Sequence, residues 1–268
     1  MLRSLFQRLR PAKTREESAD DALARARDLG NAGDWAGALA IWHPLAQRGI
    51  PRAQAYVGVC LVHGLGTEAA PEAGARWLTV AAEAGDAVGQ RHLAEACLKG
   101  NGTAQDDDAA LRWYRAAAEA GDADSQDMLS WMLAEAGRDP AEAHRWALAA
   151  ARQGIAAAMT RLGMFHHNAI GVPRDPAAAV RWWQAAAERG DADAQAMLGA
   201  AMLTGAGVAR NRIEALAWLY RAMIADSALA KPFQVAARDG LTRSQQEEAE
   251  RRARLPLPAP GAIPEEAP

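Results

Sequence analysis

The chain has 268 residues, 50% hydrophobic and 24% charged, with a net charge of −3. That charge gives no electrostatic footing for nucleic acid as a partner, and no apolar run approaches the roughly 18–20 residues of a membrane span. Alanine dominates the apolar set, and β-branched alternation is nearly absent, so an all-α protein is expected.

At the start of the chain, Leu2, Leu5, Phe6 and Leu9 share one helical face, with Arg3, Arg8, Arg10 and Lys13 around it. Residues 1–16 read as a basic amphipathic segment that Pro11 interrupts. Through residues 1–13 it can lie on an anionic membrane or dock in a partner's groove; a frayed terminus is the alternative. It has neither the continuous apolar stretch nor the small-residue cleavage site of a signal peptide. Residues 17–49 read as a divergent helix pair, with Gly33-Asp34-Trp35 and then Ala38 marking its turn and second helix.

From residue 50 the chain repeats. Ala81-Ala82-Glu83-Ala84-Gly85-Asp86 returns as Ala117-Ala118-Glu119-Ala120-Gly121-Asp122 and as Ala186-Ala187-Glu188-Arg189-Gly190-Asp191. Gly49, Gly85, Gly121, Gly154 and Gly190 are spaced by 36, 36, 33 and 36 residues, and Trp77, Trp113, Trp146, Trp182 and Trp218 keep the same beat. Two residue types in one register define five repeats over 50–226. Each reads as two helices. In the fifth, Asp191 is the predicted N-cap of the first helix, and Ala194, Leu198, Gly199 and Met202 form its apolar stripe. Gly205 and Gly207 end it, Asn211 caps the second helix, and Trp218 and Ala222 form that helix's buried face. Asp106, Asp139 and Asp175 take the second cap position elsewhere, with Pro140 and Pro176 at the first helical position. The third repeat is three residues shorter, with the loss between Leu133 and Asp139. Gly58, Ala94, Ser130, Gly163 and Gly199 share one position, where a small side chain lets the paired helix approach. The recurring tryptophan is expected to fill the space between repeats.

Residues 227–255 read as capping helices. Thr242 and Gln245 have capping-box spacing, opening a polar helix of about 243–254. The tail, 256–268, carries Pro256, Pro258, Pro260 and Pro264 and is expected to lack fixed structure.

These repeats resemble the Sel-one-like repeat family, relatives of the tetratricopeptide repeats, whose pattern runs A-x-x-x-L-G-x-x-Y-x-x-G-x-G-V, then D-x-x-x-A-x-x-W-Y-x-x-A-A-x-x-G. The fifth repeat matches through Ala194, Leu198-Gly199, Gly205-Ala206-Gly207-Val208 and Trp218. The fourth matches through Leu162-Gly163, Gly171-Val172, Asp175 and Trp182-Trp183, and the second adds Trp113-Tyr114. The family tyrosine is replaced by Leu61, Cys97, Leu133, His166 and Met202. The resemblance implies a right-handed α/α superhelix, an α-solenoid of about six helix-turn-helix repeats with capping helices at both ends. Residues 17–49 look like a tetratricopeptide-like first member. The resemblance also implies a non-catalytic scaffold or adaptor that binds a protein or peptide on its concave face, built mainly from first helices.

Projected onto that face, the candidate partner-binding residues are Tyr56, His63, His92, Glu95, Lys99, Met128, Trp131, Arg161, Met164, Asn168 and Met197. Trp131 is the foremost, because the repeat does not require tryptophan there; packing inside the shortened third repeat is the other reading. The Ala- and Arg-rich composition is bacterium-like, and a cytoplasmic location is expected. A regulator of envelope assembly or signalling, recruited to the membrane by residues 1–13, is the alternative.

No catalytic chemistry is legible. There is no G-x-S-x-G, phosphate loop or S-x-x-K, so β-lactamase activity is not carried over from relatives, and a hydrolase acting on envelope polymers is the third and least supported reading. Gly100-x-Gly102 and Gly205-x-Gly207 are turn glycines, and Asp106-Asp107-Asp108 reads as a helix start. His166 and His167 point about 100° apart on a helix, and the sequence places no cysteine or carboxylate cluster beside them. Neither metal nor cofactor is expected, and His166 reads as a packed structural histidine. Cys60 and Cys97 read as small core residues, too few for a disulfide framework.

Overall fold

Each interval between the recurring glycines folds as two α-helices joined by a turn. The computed structural model describes residues 18–266, so the amphipathic segment expected at 1–16 lies outside the described residues. A first pair, α1 (Ala19–Asn31) and α2 (Trp35–Gln47), is followed by five more. These are α3 (Pro51–His63) with α4 (Pro71–Glu83), α5 (Ala87–Lys99) with α6 (Asp107–Glu119), and α7 (Ala123–Glu135) with α8 (Pro140–Arg152). Then come α9 (Ala156–Asn168) with α10 (Pro176–Glu188), and α11 (Ala192–Thr204) with α12 (Arg212–Ile224). A 3-10 turn at Ala228–Ala230, α13 (Lys231–Arg238) and α14 (Arg243–Arg254) close the chain, and no strand occurs among the described residues. The fold is thus an all-α repeat of helix pairs. It divides into two compact halves, one ending at Ala117 and one beginning at Ala118.

The helices start where short polar side chains cap them. Asp86, Asp122 and Asp191 accept the amides of Gly89, Ser125 and Ala194 at 2.8–2.9 Å. Asp106, Asp139, Asp175 and Asn211 cap the second helices in the same way. Each cap satisfies an amide that the first helical turn leaves without a partner. The third repeat loses its residues in the turn: four residues join α7 to α8, against seven joining α9 to α10.

Packing inside a pair depends on the small position. A Cβ at Gly199 would stand 2.8 Å from Leu219 Cγ and 3.0 Å from the Ala215 carbonyl, and one at Gly58 would stand 2.7 Å from Leu78 Cγ. At Gly163 the facing group is the indole of Trp183, 2.2 Å away. The side chain over the small position is therefore the residue after the recurring tryptophan: Leu78, Trp183 and Leu219 are all buried. The tryptophan itself is buried only at Trp182 and Trp218, and half-buried at Trp77, Trp113 and Trp146. The helix face turned to its partner within the pair thus lies one residue beyond the tryptophan, and Trp77 packs against the core of the first pair and α3.

Successive repeats are joined by a second device. Gln54, Gln90, Gln126 and Gln195 are buried, and each donates its amide to a carbonyl in the last turn of the preceding second helix: Ala46, Ala82, Ala118 and Ala187, at 3.1–3.3 Å. In the fourth repeat Met159 takes this place. Turn glycines add to the fit. Gly207 (φ 75°) lies so close to the Pro176 carbonyl that a Cβ would sit 2.1 Å from it.

The N-terminal half closes on α1 and α2, where Trp42 is buried among Ala26, Ala38 and Val57 and stacks on Tyr56 at 4.6 Å. Cys60 and Cys97 are both buried and free, and burial pushes the Cys60 thiol up to about 11. At the other end Leu216, Leu219 and Ala222 are covered by Ala237 of α13 and Ala249 of α14. The capping box at Thr242 and Gln245 is formed, and Arg252 reaches Glu214 at 2.7 Å.

Residues 255–266 are extended, and their backbone is held by side chains of the helices. Arg221 donates to the Leu255 carbonyl, Arg189 donates to the Gly261 carbonyl, and Gly261 N–H donates to Glu188. Proline removes donors and stiffens the segment, so few such contacts suffice to fix its course.

Gly199→Val is expected to destabilise the protein by about 1–3 kcal/mol through overpacking. Helix propensity alone favours replacing a helical glycine, by roughly 0.5–1 kcal/mol for alanine, but Leu219 Cγ is a buried branch point that cannot swing away. A urea melt with an unchanged midpoint would contradict the close-approach account.

Candidate functional site

All eleven candidate residues lie on first helices, but the structure sorts them into different environments. In the C-terminal half, Trp131 of α7 and Arg161, Met164 and Asn168 of α9 line one groove of about 400 Å³. The close approach at Gly163 draws α9 against α10, and Trp131 stands on α7 one residue beyond the buried small position Ser130. Its side chain is 38% exposed, so it does not fill the interior of the third repeat. Ala134, Ala157, Phe165 and Ile170 complete an apolar floor, and Glu135, Asp191 and Asp193 set carboxylates around it. Arg161 is held by Asp127 at 2.9 Å. Asp191 accepts from Thr160 while capping α11, and Asp193 accepts from Ser227.

In the N-terminal half, His63, His92, Glu95 and Lys99 gather around a smaller recess of about 50 Å³. Glu95 is paired with Lys99 at 2.6 Å and His92 at 3.4 Å. The hydrogen bond from His92 is the main cause that holds its carboxyl down at about 2, with Lys99 adding to it and burial opposing. Tyr56 does not join this recess, because it is half-buried and stacked on Trp42 against the core of the first pair. Met128 and Met197 are half-buried and line neither hollow.

A third site has no counterpart among the sequence-predicted residues. His144 of α8, His166 of α9 and Glu266 of the tail place their ligand-capable atoms within 4.8 Å of one another. His166 Nε2 lies 2.9 Å from Glu266 Oε1, His144 Nε2 3.2 Å, and the Trp182 indole N–H donates to the same oxygen at 3.2 Å. Burial opposes the charge on Glu266, but the hydrogen bonds and charge of the two histidines outweigh it and hold the carboxyl at about 2. The histidines meet edge to face, 5.7 Å between centroids. Sequence reasoning found no carboxylate to join His166, because the one that does lies 100 residues away.

The trio could bridge a cation by distance, yet two observations favour an anion site. Indole N–H can only donate, and it is aimed at the shared oxygen. His166 Nδ1 is buried without a partner. A ring ligating through Nε2 would carry its proton on Nδ1, where an outer acceptor is normally found.

The Sel1 repeat profile matches residues 51–86, 87–122, 123–155, 156–191 and 192–223. Among solved structures, the chain is similar to a protective antigen with an SLR fold from uropathogenic Escherichia coli, at 30% identity and a TM-score of 0.82 over 88% of this chain and 52% of that one. It spans about half the length of that protein. A Sel1 repeat protein from Oxalobacter formigenes is 26% identical, with a TM-score of 0.76 over 88% of this chain and 97% of that one. No curated protein matches the sequence. No helix among the described residues is long and apolar enough to cross a membrane.

The depressed Glu95 carboxyl predicts a pH dependence. Its contribution to stability is complete above the ordinary glutamate range and is lost as pH falls toward about 2, because protonation then breaks its pairing with His92 and Lys99. Glu95→Gln should flatten this part of the acid-side decline in melting temperature. An unchanged pH profile would mean that the pairing contributes nothing to folding.

Proposed function

Because the chain belongs to the Sel1 repeat family, whose members are generally protein–protein interaction scaffolds, we propose that it is a non-catalytic scaffold or adaptor that binds a partner protein or peptide on the face built from its first helices. The observation that carries this reading is the half-exposed Trp131 beside a groove with an apolar floor and an acidic rim. A large aromatic set next to an arginine is a common interface anchor. The groove suits a segment that inserts an apolar side chain and carries a basic neighbour, since Glu135, Asp191 and Asp193 favour positive charge there. Three of its charged groups are engaged in structure: Arg161 with Asp127, Asp191 with α11, and Asp193 with Ser227. That arrangement fits docking better than turnover.

A photo-crosslinking residue at Met164, introduced in cells, should trap a protein partner. Trp131→Ala should weaken that partner's binding by about 2 kcal/mol or more, while helical circular dichroism is unchanged. If the same partner is trapped equally well after Trp131→Ala, the groove is not the docking site.

A further inference from the structure

The two histidines that meet Glu266 occupy repeat positions that are apolar elsewhere. The place of His144 is taken by Ala75, Leu111, Val180 and Leu216 in the other repeats, and that of His166 by Leu61, Cys97, Leu133 and Met202. Packing therefore does not ask for histidine at either position. Both changes fall in neighbouring repeats, and the two rings converge on one carboxylate oxygen together with the Trp182 indole. Three N–H donors at one point make a receptor for an anion. The segment that delivers the anion is bound as a peptide ligand is bound. Its backbone is gripped at Gly261 by Arg189 and Glu188, and at Leu255 by Arg221. Pro264 and Glu265 line the remaining hollow with Val172, Pro173 and Arg181.

From this we infer that the surface of α8, α9 and α10 is a binding site for an extended, proline-containing segment bearing a glutamate, and that residues 255–266 occupy it as an internal ligand which a partner segment of the same chemistry displaces. Proline-rich chain is already close to its bound, extended form, so little conformational freedom is lost on docking. The glutamate supplies the specific contact, because the donors converging on Oε1 would be left buried and unpaired by an apolar side chain. This surface is lined by residues other than those of the Trp131 groove, and its test is independent of that reading.

The probe is a fluorescent peptide with the sequence of residues 255–268, titrated against the full chain and followed by anisotropy. In the wild type the attached tail competes. Glu266→Lys, which sets an ammonium against three donors, should eject the tail and tighten peptide binding about tenfold or more, since the competent fraction rises. Adding His144→Leu or His166→Leu to that background should abolish the gain. Both variants should fold, because leucine stands at the matching position of other repeats. A peptide with both glutamates replaced by glutamine should bind weakly throughout. In the unlabelled chain the Trp182 indole N–H resonance should shift on Glu266→Lys and return when peptide is added. Equal affinity for wild type and Glu266→Lys, or binding indifferent to the histidines or to the peptide's glutamates, would overturn the proposal.

Discussion

The structure depends on one close approach, that of the two helices within each pair. At Gly58, Gly163 and Gly199 there is no room for a Cβ, because Leu78, Trp183 and Leu219 stand directly over the backbone. Where the small position is Ala94 or Ser130, the side chain is wholly buried. Close packing of this kind satisfies dispersion through many short contacts, and it fixes the pair as a rigid element. The buried glutamines then tie one pair to the next through a carbonyl at a helix end, adding a second donor to an oxygen that already accepts the amide of the turn glycine. Pair and link together account for the alanine-rich sequence: bulky residues are confined to one stripe, and the rest of each helix must stay thin.

Such a division leaves the remaining positions free to differ. The place taken by Trp131 carries no packing duty, and the residue projects into a groove. The place of the family tyrosine holds leucine, cysteine, methionine and, once, histidine. Only where the polar residue appears does a distant part of the chain come to meet it. Function in a repeat protein is written in these departures from register, because positions that obey the register are spent on stacking.

The repeat itself was legible because it rests on local chemistry. Caps such as Asp191 and Asn211 act within three residues, and turn glycines such as Gly205 within one turn, so the pattern names them directly. The buried glutamines were also present at the repeat spacing, but their partner lies eight residues back in another helix, and polar residues are ordinarily assigned to the surface. The tryptophan beat marked the correct helix, but the side chain over the small position is the next residue, about 100° further round the helix. Among the candidate residues, Trp131, Arg161, Met164 and Asn168 were brought together by the fold. Tyr56 stands apart from the recess because Trp42, in the divergent first pair, offers it a stacking surface that the five regular repeats do not predict.

The course of residues 255–266 rests on contacts with the helices, which composition does not encode. Prolines and small residues cannot build a core of their own, so composition alone argues for a chain without fixed structure. Composition is silent on surfaces that others provide. From Leu255 to Glu266 an extended, proline-stiffened chain reaches on the order of 34 Å at about 3.1 Å per residue, enough to leave α14 and pass along α10 to His166 and His144. Once tethered, the glutamate stands before its donors at an effective concentration on the order of millimolar. A free segment of the same chemistry can replace it only by making further contacts, and the hollow beside Val172, Pro173 and Arg181 is where such contacts would be made. Occupation in cis thus acts as a threshold: it excludes weak acidic ligands while leaving the site open to a partner that fits the whole surface.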